Sequence, residues 1–303
     1  MKPTLLPTYD FDGNVLSPQT ASFFVDMQTN KIVEVPAHEV DQNPSIYFDK
    51  TKYMYPEDNA ENAFQRFSDY YPHDKHPGPD WLINDTKDAI RESLFAPSFP
   101  SFKKLALIEA NLFAILTARG HGSDNIQRTI ELLSRETLTD DEKKDQKEYI
   151  KEKYTPLIKQ HNILDKDLVE WFFADIPSYM GVSNKNFCKL QDINRYENTA
   201  YKKVLGIQKH YQRATSLYKA MNPTRRTIQF AKGFSDDSIA NIEAMAKYYL
   251  QEVQKNKDRY RIYFTGKLDQ RKNVQNIIKS MPWWENTTFQ NTHDIMKISI
   301  HKW

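Results

Sequence analysis

The chain has 303 residues, 39% of them hydrophobic and 27% charged, which excludes a disordered chain and leaves room for one large domain or two modest ones. Its formal net charge of +2 names no class of partner, and its 8 glycines are too few for a fold resting on Gly-rich loops. The single cysteine, Cys188, excludes an intramolecular disulfide and fits a reducing compartment as a structural bystander. No apolar run is long enough to span a membrane and no leader-like segment opens the chain, so a cytoplasmic protein is expected.

In chain order, residues 4–12 read as a strand that ends at Gly13. Residues 22–40 read as a hairpin turning at Thr29 and Asn30, with alternation in Lys31-Ile32-Val33-Glu34-Val35. Residues 41–100, rich in Pro, Asp, Asn and Tyr, read as a long loop-like segment with a helix at 85–94. The most apolar run, residues 111–116, reads as a buried strand whose polar exit carries Thr117, Arg119 and a Gly-His-Gly turn. Residues 123–172 are helical in pattern, with Asp140 and Asp141 suited to a first turn. Residues 171–182, "WFFADIPSYMGV", read as a strand, 199–221 as a helix and "TRRTIQFA" as a returning strand. "IANIEAMAKYYLQEVQK" is an amphipathic helix, "RYRIYFTG" the last strand and "RKNVQNIIKSM" a short helix. Strands alternating with helices predict a doubly wound, Rossmann-like α/β fold with a mostly parallel sheet covered on both faces.

Three of these apolar segments end in polar residues: Asp10 and Asp12, then Thr117, then Asp236 and Asp237. In an open parallel sheet ligands gather at the carboxyl edges of the strands, so strands distant in sequence can deliver their terminal side chains to one place. Carboxylates brought together repel one another and raise each other's pKa values unless a cation neutralises them. An all-oxygen donor set suits Mg²⁺, which takes one or two carboxylates plus substrate phosphate. The residues therefore point to a Mg²⁺-dependent phosphoryl-transfer site.

"DFDGN", followed at distance by "LTAR", a "TAYKK" helix start and "GFSDDS", resembles the four-part signature of the haloacid dehalogenase-like hydrolases. The resemblance covers a minority of the chain, in the right order. It implies a doubly wound α/β core and a Mg²⁺-dependent phosphatase. By it, Asp10 is the nucleophile that takes the phosphoryl group, and Asp12 the residue that protonates the leaving oxygen, then deprotonates water, with its backbone carbonyl toward the metal. Thr117 holds a phosphoryl oxygen, and Asp236, with Asp237 through water, completes the metal shell. Lys202 best fits the lysine of the third element, with Lys203 beside it and Lys219 and Lys232 as fallbacks. The chain departs from the usual pattern at Asn14, where the family commonly has Thr.

Blander readings stand beside these. Asp-x-Asp-Gly is also an ordinary turn string, Asp236-Asp237 a helix N-cap, and "LTARG" a buried strand with its exit loop. His73 and His76 sit in Pro-rich surroundings typical of a loop surface, and His121 is either a substrate contact or a structural residue. The "PWW" at 282–284 reads as a packing anchor. From Tyr201 to Ser235 there is no Asp or Glu but eight basic residues: Lys202, Lys203, Lys209, Arg213, Lys219, Arg225, Arg226 and Lys232. Such a run is either a solvated helix face or a surface attracting a phosphate-rich substrate, such as a nucleotide or a nucleic-acid end.

The resulting expectation is a single α/β domain over 1–303, with a hairpin-containing cap or lid at 19–100 and a mainly helical insertion at 121–195. It would hydrolyse phosphomonoesters of small molecules or nucleic-acid ends. The alternatives are phosphoryl transfer to an acceptor other than water, and a catalytically silent scaffold of the same fold.

Overall fold

In the computed structural model, the first strand, β1 (Thr4–Tyr9), becomes progressively buried toward its carboxyl end. The structure describes residues 3–36, 39–40, 43–58, 60–69, 80–194, 197–224 and 227–302, so His73, His76, Arg225 and Arg226 lie outside the described residues. A proline inside a central strand ordinarily removes a ladder bond. Here the N–H groups of Thr4 and Asp10 point toward the β7 side, to Gln229 and Ser235, so by alternation Pro7 faces the other way. Pairing on that side starts only at Thr8, and no bond is lost.

The strands that build the main sheet with β1 are β5 (Ala114–Thr117), β6 (Ser178–Gly181), β7 (Phe230–Asp236), β8 (Arg259–Phe264), β9 (Thr287–Asn291) and β10 (Met296–Ile300). The order across the sheet is β6-β5-β1-β7-β8-β10-β9. The first five run parallel, while β10 is antiparallel to β8 and β9 antiparallel to β10. The chain leaves β1 toward β5 and β6 on one side, then returns to place β7 and β8 on the other. That reversal is a topological switch point, and it lies at the carboxyl end of β1.

Among the described residues, seven helices have eight residues or more: α1 (Trp81–Arg91), α2 (Ser123–Thr137), α3 (Asp140–His161), α4 (Leu168–Asp175), α5 (Thr199–Met221), α6 (Ile239–Lys255) and α7 (Arg271–Lys279). Helix α3 opens with a capping box between Thr139 and Glu142. Helices α5 and α6 pack on each other and on β1, β5, β7 and β8. On the opposite face the Tyr9 ring meets Phe102 edge-on at 5.2 Å, within a helical stretch at 99–108. Among the described residues no helix is long and apolar enough to cross a membrane.

The hairpin expected at 22–40 forms as β2 (Ala21–Asp26) and β3 (Lys31–Pro36), joined through Asn30 at φ 54°. With β4 (Tyr53–Met54) it makes a second, three-stranded sheet, which buries Phe24, Val35, Val40 and Tyr47 in a cluster of its own.

Five expectations need correction. Residues 171–182 are not one strand: the buried Leu168, Phe172 and Phe173 follow helical spacing, α4 runs to Asp175, and only Ser178–Gly181 is extended. That strand, β6, belongs to the main sheet, so the 121–195 segment is not wholly an insertion. Of the described residues of "TRRTIQFA" only Phe230 and Ala231 belong to a strand, and "RYRIYFTG" is followed by two more strands, β9 and β10. Trp283 and Trp284 are 49% and 36% exposed, so "PWW" is no packing anchor.

Candidate active site

Because β5, β1 and β7 are adjacent and parallel, their polar ends emerge on one edge. Asp10 directly follows β1 and donates its N–H to the Ser235 carbonyl at 2.9 Å. Asp236 ends β7 and Thr117 ends β5. Carboxylate oxygens of Asp10, Asp236 and Asp237 lie within 4.8 Å of one another, a grouping that could hold a metal ion.

Among the described residues one ammonium reaches into this group, that of Lys203. Its Nζ stands 2.9 Å from Asp10 Oδ2 and 2.7 Å from Asp236 Oδ2, fully buried. Lys202, which best fitted the sequence pattern, is buried as well but is not within ion-pair distance of either aspartate. Adjacent residues on a helix point about 100° apart, so one of the two must miss the edge. The fallbacks are placed elsewhere. Lys219 lies in the last turn of α5, and Lys232 pairs with Asp258 at 2.7 Å near the amino end of β7.

Asp236 is completely buried and fully engaged, since its Oδ1 also accepts from the Ser238 N–H at 2.9 Å and from Asn241 Nδ2 at 3.0 Å. Asp10 differs: its Oδ1 is buried with no hydrogen-bond partner among the described residues. Burial pushes the Asp10 carboxyl well above the usual carboxylate range; Lys203 opposes this, and Asp236 and Asp237 add to it. Asp237 is pushed up to about 7, first by burial and then by Asp236. Three carboxylates facing a single ammonium make a site short of positive charge.

Gly13 and Asn14 shape the turn that follows. Gly13 has φ +66°, a conformation that disfavours a side chain. Asn14 is completely buried, and its amide lies 2.9 Å from both Ser235 Oγ and Thr265 Oγ1. With its oxygen toward them it also accepts the Asp236 N–H at 3.1 Å. Asn14 is therefore a buried amide that ties the ends of β1, β7 and β8 together.

Asp12 is not among the three clustered carboxylates. Its side chain turns to Arg119, whose Nε and Nη2 contact Oδ2 and Oδ1 at 2.8 and 2.7 Å. Thr117 Oγ1 stands 3.4 Å from Asp12 Oδ2 and accepts the Arg119 N–H at 3.2 Å, so the two elements "DFDGN" and "LTAR" do meet. The sequence alone places Arg119 only in a polar exit; its spacing two residues after Thr117 is the signal it carries. His121 is buried with no partner for either ring nitrogen among the described residues, and burial with the nearby Arg119 keeps it neutral.

The basic run does not form one surface. Lys202, Lys203 and Lys232 are buried, and Arg213 donates to the carbonyls of Asp175 and Pro177 behind α4. The cause is that α5 and β7 are central elements: Lys202, Lys203 and Lys232 point inward, while Lys209, Arg213 and Lys219 lie on the exposed side of α5. Two clefts, of about 440 and 600 Å³, share Ile163 and Trp171 in their walls and contain none of the clustered aspartates.

Compared with protein-family models, curated proteins and solved structures, the chain matches none of them. The site offers a buried carboxylate with one oxygen unpartnered among the described residues, a second carboxylate held by an arginine, a hydroxyl between strand ends, and an anionic cluster suited to a hard cation.

Proposed function

We propose that the chain is a phosphomonoester hydrolase of the haloacid dehalogenase-like type, dependent on Mg²⁺ and acting through an aspartyl-phosphate on Asp10. The observation that carries this reading is the meeting of Asp10, Asp236 and Asp237 at the switch point, with Lys203 as their one ammonium among the described residues. The unpartnered Asp10 Oδ1 and the all-oxygen donor set fit a hard divalent cation, with Asp10, Asp236 and Asp237 as the residues that would hold it. When bound, the cation neutralises the charge that an anionic nucleophile and an anionic phosphoryl group bring together.

The chain's own groups then divide the work. An Asp10 carboxylate oxygen bonds to phosphorus as the ester P–O bond breaks, and Asp12 gives a proton to the departing oxygen. Water next attacks the aspartyl-phosphate; its proton passes to Asp12, and Asp10 is regenerated as inorganic phosphate leaves. The Thr117 hydroxyl is positioned at the strand end to donate to a phosphoryl oxygen. Lys203 acts as a fixed point charge on Asp10. The small sheet over β2, β3 and β4, with the residues up to 100, serves as the cap that limits water and selects substrate. The substrate class is a phosphorylated small molecule or a nucleic-acid end.

Purified protein is expected to release phosphate from p-nitrophenyl phosphate with Mg²⁺ and not after chelation. Asp10→Asn should abolish release, and beryllofluoride should bind the native chain tightly. Unchanged turnover in Asp10→Asn would remove Asp10 as nucleophile, and no release by native protein on any phosphomonoester would leave the scaffold reading.

A further inference from the structure

Arg119 is 2% exposed, yet it lies in the loop that leaves β5, where side chains ordinarily reach solvent. Its guanidinium grips Asp12 in a fork, with Nε 3.1 and 2.8 Å from the two carboxylate oxygens and Nη2 2.7 Å from Oδ1. What holds the arginine comes from a different part of the chain. Nη2 also donates to Thr20 Oγ1 at 2.6 Å, and the Phe67 ring lies 4.8 Å from Cζ. Thr20 in turn donates to Asp85 Oδ2 at 2.5 Å. The next residue, Gly120, donates its N–H to the Phe67 carbonyl at 2.8 Å and bridges to Ser68.

Asp12 needs such a hold. Its side chain is 36% exposed and stands one residue before the Gly13 turn, so nothing in β1 restrains its rotamer. Proton transfer requires the carboxylate within hydrogen-bond reach of the reacting oxygen. A planar fork sets both carboxylate oxygens at once, which a lysine ammonium cannot do.

We infer that Arg119 is a positioning residue: it fixes the Asp12 carboxylate for proton transfer, and Thr20 and Phe67 of the segment over the site fix Arg119 in turn. This rests on the reading of Asp12 given above. Its consequence is sharpest in the second half of the reaction. There the water oxygen bonds to phosphorus, the Asp10–phosphoryl bond breaks, and the water proton must go to a carboxylate oxygen that is already in place. The first half is less demanding with p-nitrophenyl phosphate, because nitrophenolate leaves without a proton.

The test separates the halves by stopped flow with p-nitrophenyl phosphate. In Arg119→Lys the initial release of nitrophenolate should stay within about threefold of native while steady-state turnover falls by about tenfold or more, so that a burst appears. Asp12→Asn should show the same split, and the double variant should be no worse than Asp12→Asn, because a residue acting through another adds no loss once the other is gone. Thr20→Val, which removes one hydroxyl, should give a smaller version of the split and decides the matter if Arg119→Lys does not fold. Burst and turnover falling together, losses that multiply in the double variant, or no split in Thr20→Val would overturn the inference. Native protein that releases no phosphate would instead overturn the function on which it rests.

Discussion

The Asp237 carboxylate rests on the α-carbon of Gly13: a β-carbon built there would stand 2.3 Å from Asp237 Oδ2. Glycine is required twice at this position, for its left-handed backbone at φ +66° and for the space the carboxylate occupies. Gly13→Ala should cost about 1–2 kcal/mol in urea denaturation from the backbone alone. It should also displace Asp237, so divalent-cation binding measured by calorimetry should weaken by more than that loss of stability explains. Unchanged cation affinity would place Asp237 outside the ion's reach.

Lys203 makes the second prediction. Removing it leaves Asp10 and Asp236 buried together without an ammonium, and breaking a buried pair from one side costs about 3–5 kcal/mol. Lys203→Met should show a loss of that order at neutral pH by urea denaturation, shrinking in acid as the Asp10 carboxyl becomes neutral. Lys202→Met should leave the Asp10 and Asp236 contacts intact and retain cation binding.

The raised carboxyls predict how stability varies with pH. Asp237 sits at about 7 in the folded chain against an ordinary 3.8, and Asp10 is raised as well. Between those values the folded chain keeps a proton that the unfolded chain has released. The stabilisation is therefore complete below the unfolded pKa and is lost as pH rises through the folded one. In chelator, Tm should fall from about pH 5 to about pH 8, and Asp237→Asn should flatten that fall. Added Mg²⁺ should raise Tm at the upper end and have little effect at the lower, since a ligand stabilises only the state that binds it. A Tm indifferent to Mg²⁺ at the upper pH would remove the cation from the site.

Asn14 carries the fourth. It is completely buried and lies 2.9 Å from both Ser235 Oγ and Thr265 Oγ1, so Asn14→Ala strands the Thr265 hydroxyl and the Asp236 N–H, while Ser235 keeps the Ser98 hydroxyl at 2.6 Å. A loss of about 2–3 kcal/mol is expected by urea denaturation, with Asn14→Thr recovering part of it. A loss under about half a kcal/mol would mean that the stranded groups find other partners.

Local pattern by itself determined where strands end in carboxylates. The apolar runs before Asp10, Thr117 and Asp236, the hairpin at 22–40, and the helices at 199–221 and 239–255 all follow from short-range periodicity. Periodicity failed where two signals compete, as in "WFFAD", whose continuous apolar run suits a buried strand or a helix until Phe172 and Phe173 find the core. It also passed over "MKISI", whose alternating buried Met296, Ile298 and Ile300 form an antiparallel strand beyond the expected end of the sheet. Only the tertiary structure decided which lysine faces Asp10, because Lys202 and Lys203 are both buried and a sequence carries no record of how a helix is rotated about its axis. The same holds for Arg119, which meets Asp12 across 107 residues of chain: ion pairs at such separations leave no local spacing to read, and arise only when parallel strands bring their exits to one edge.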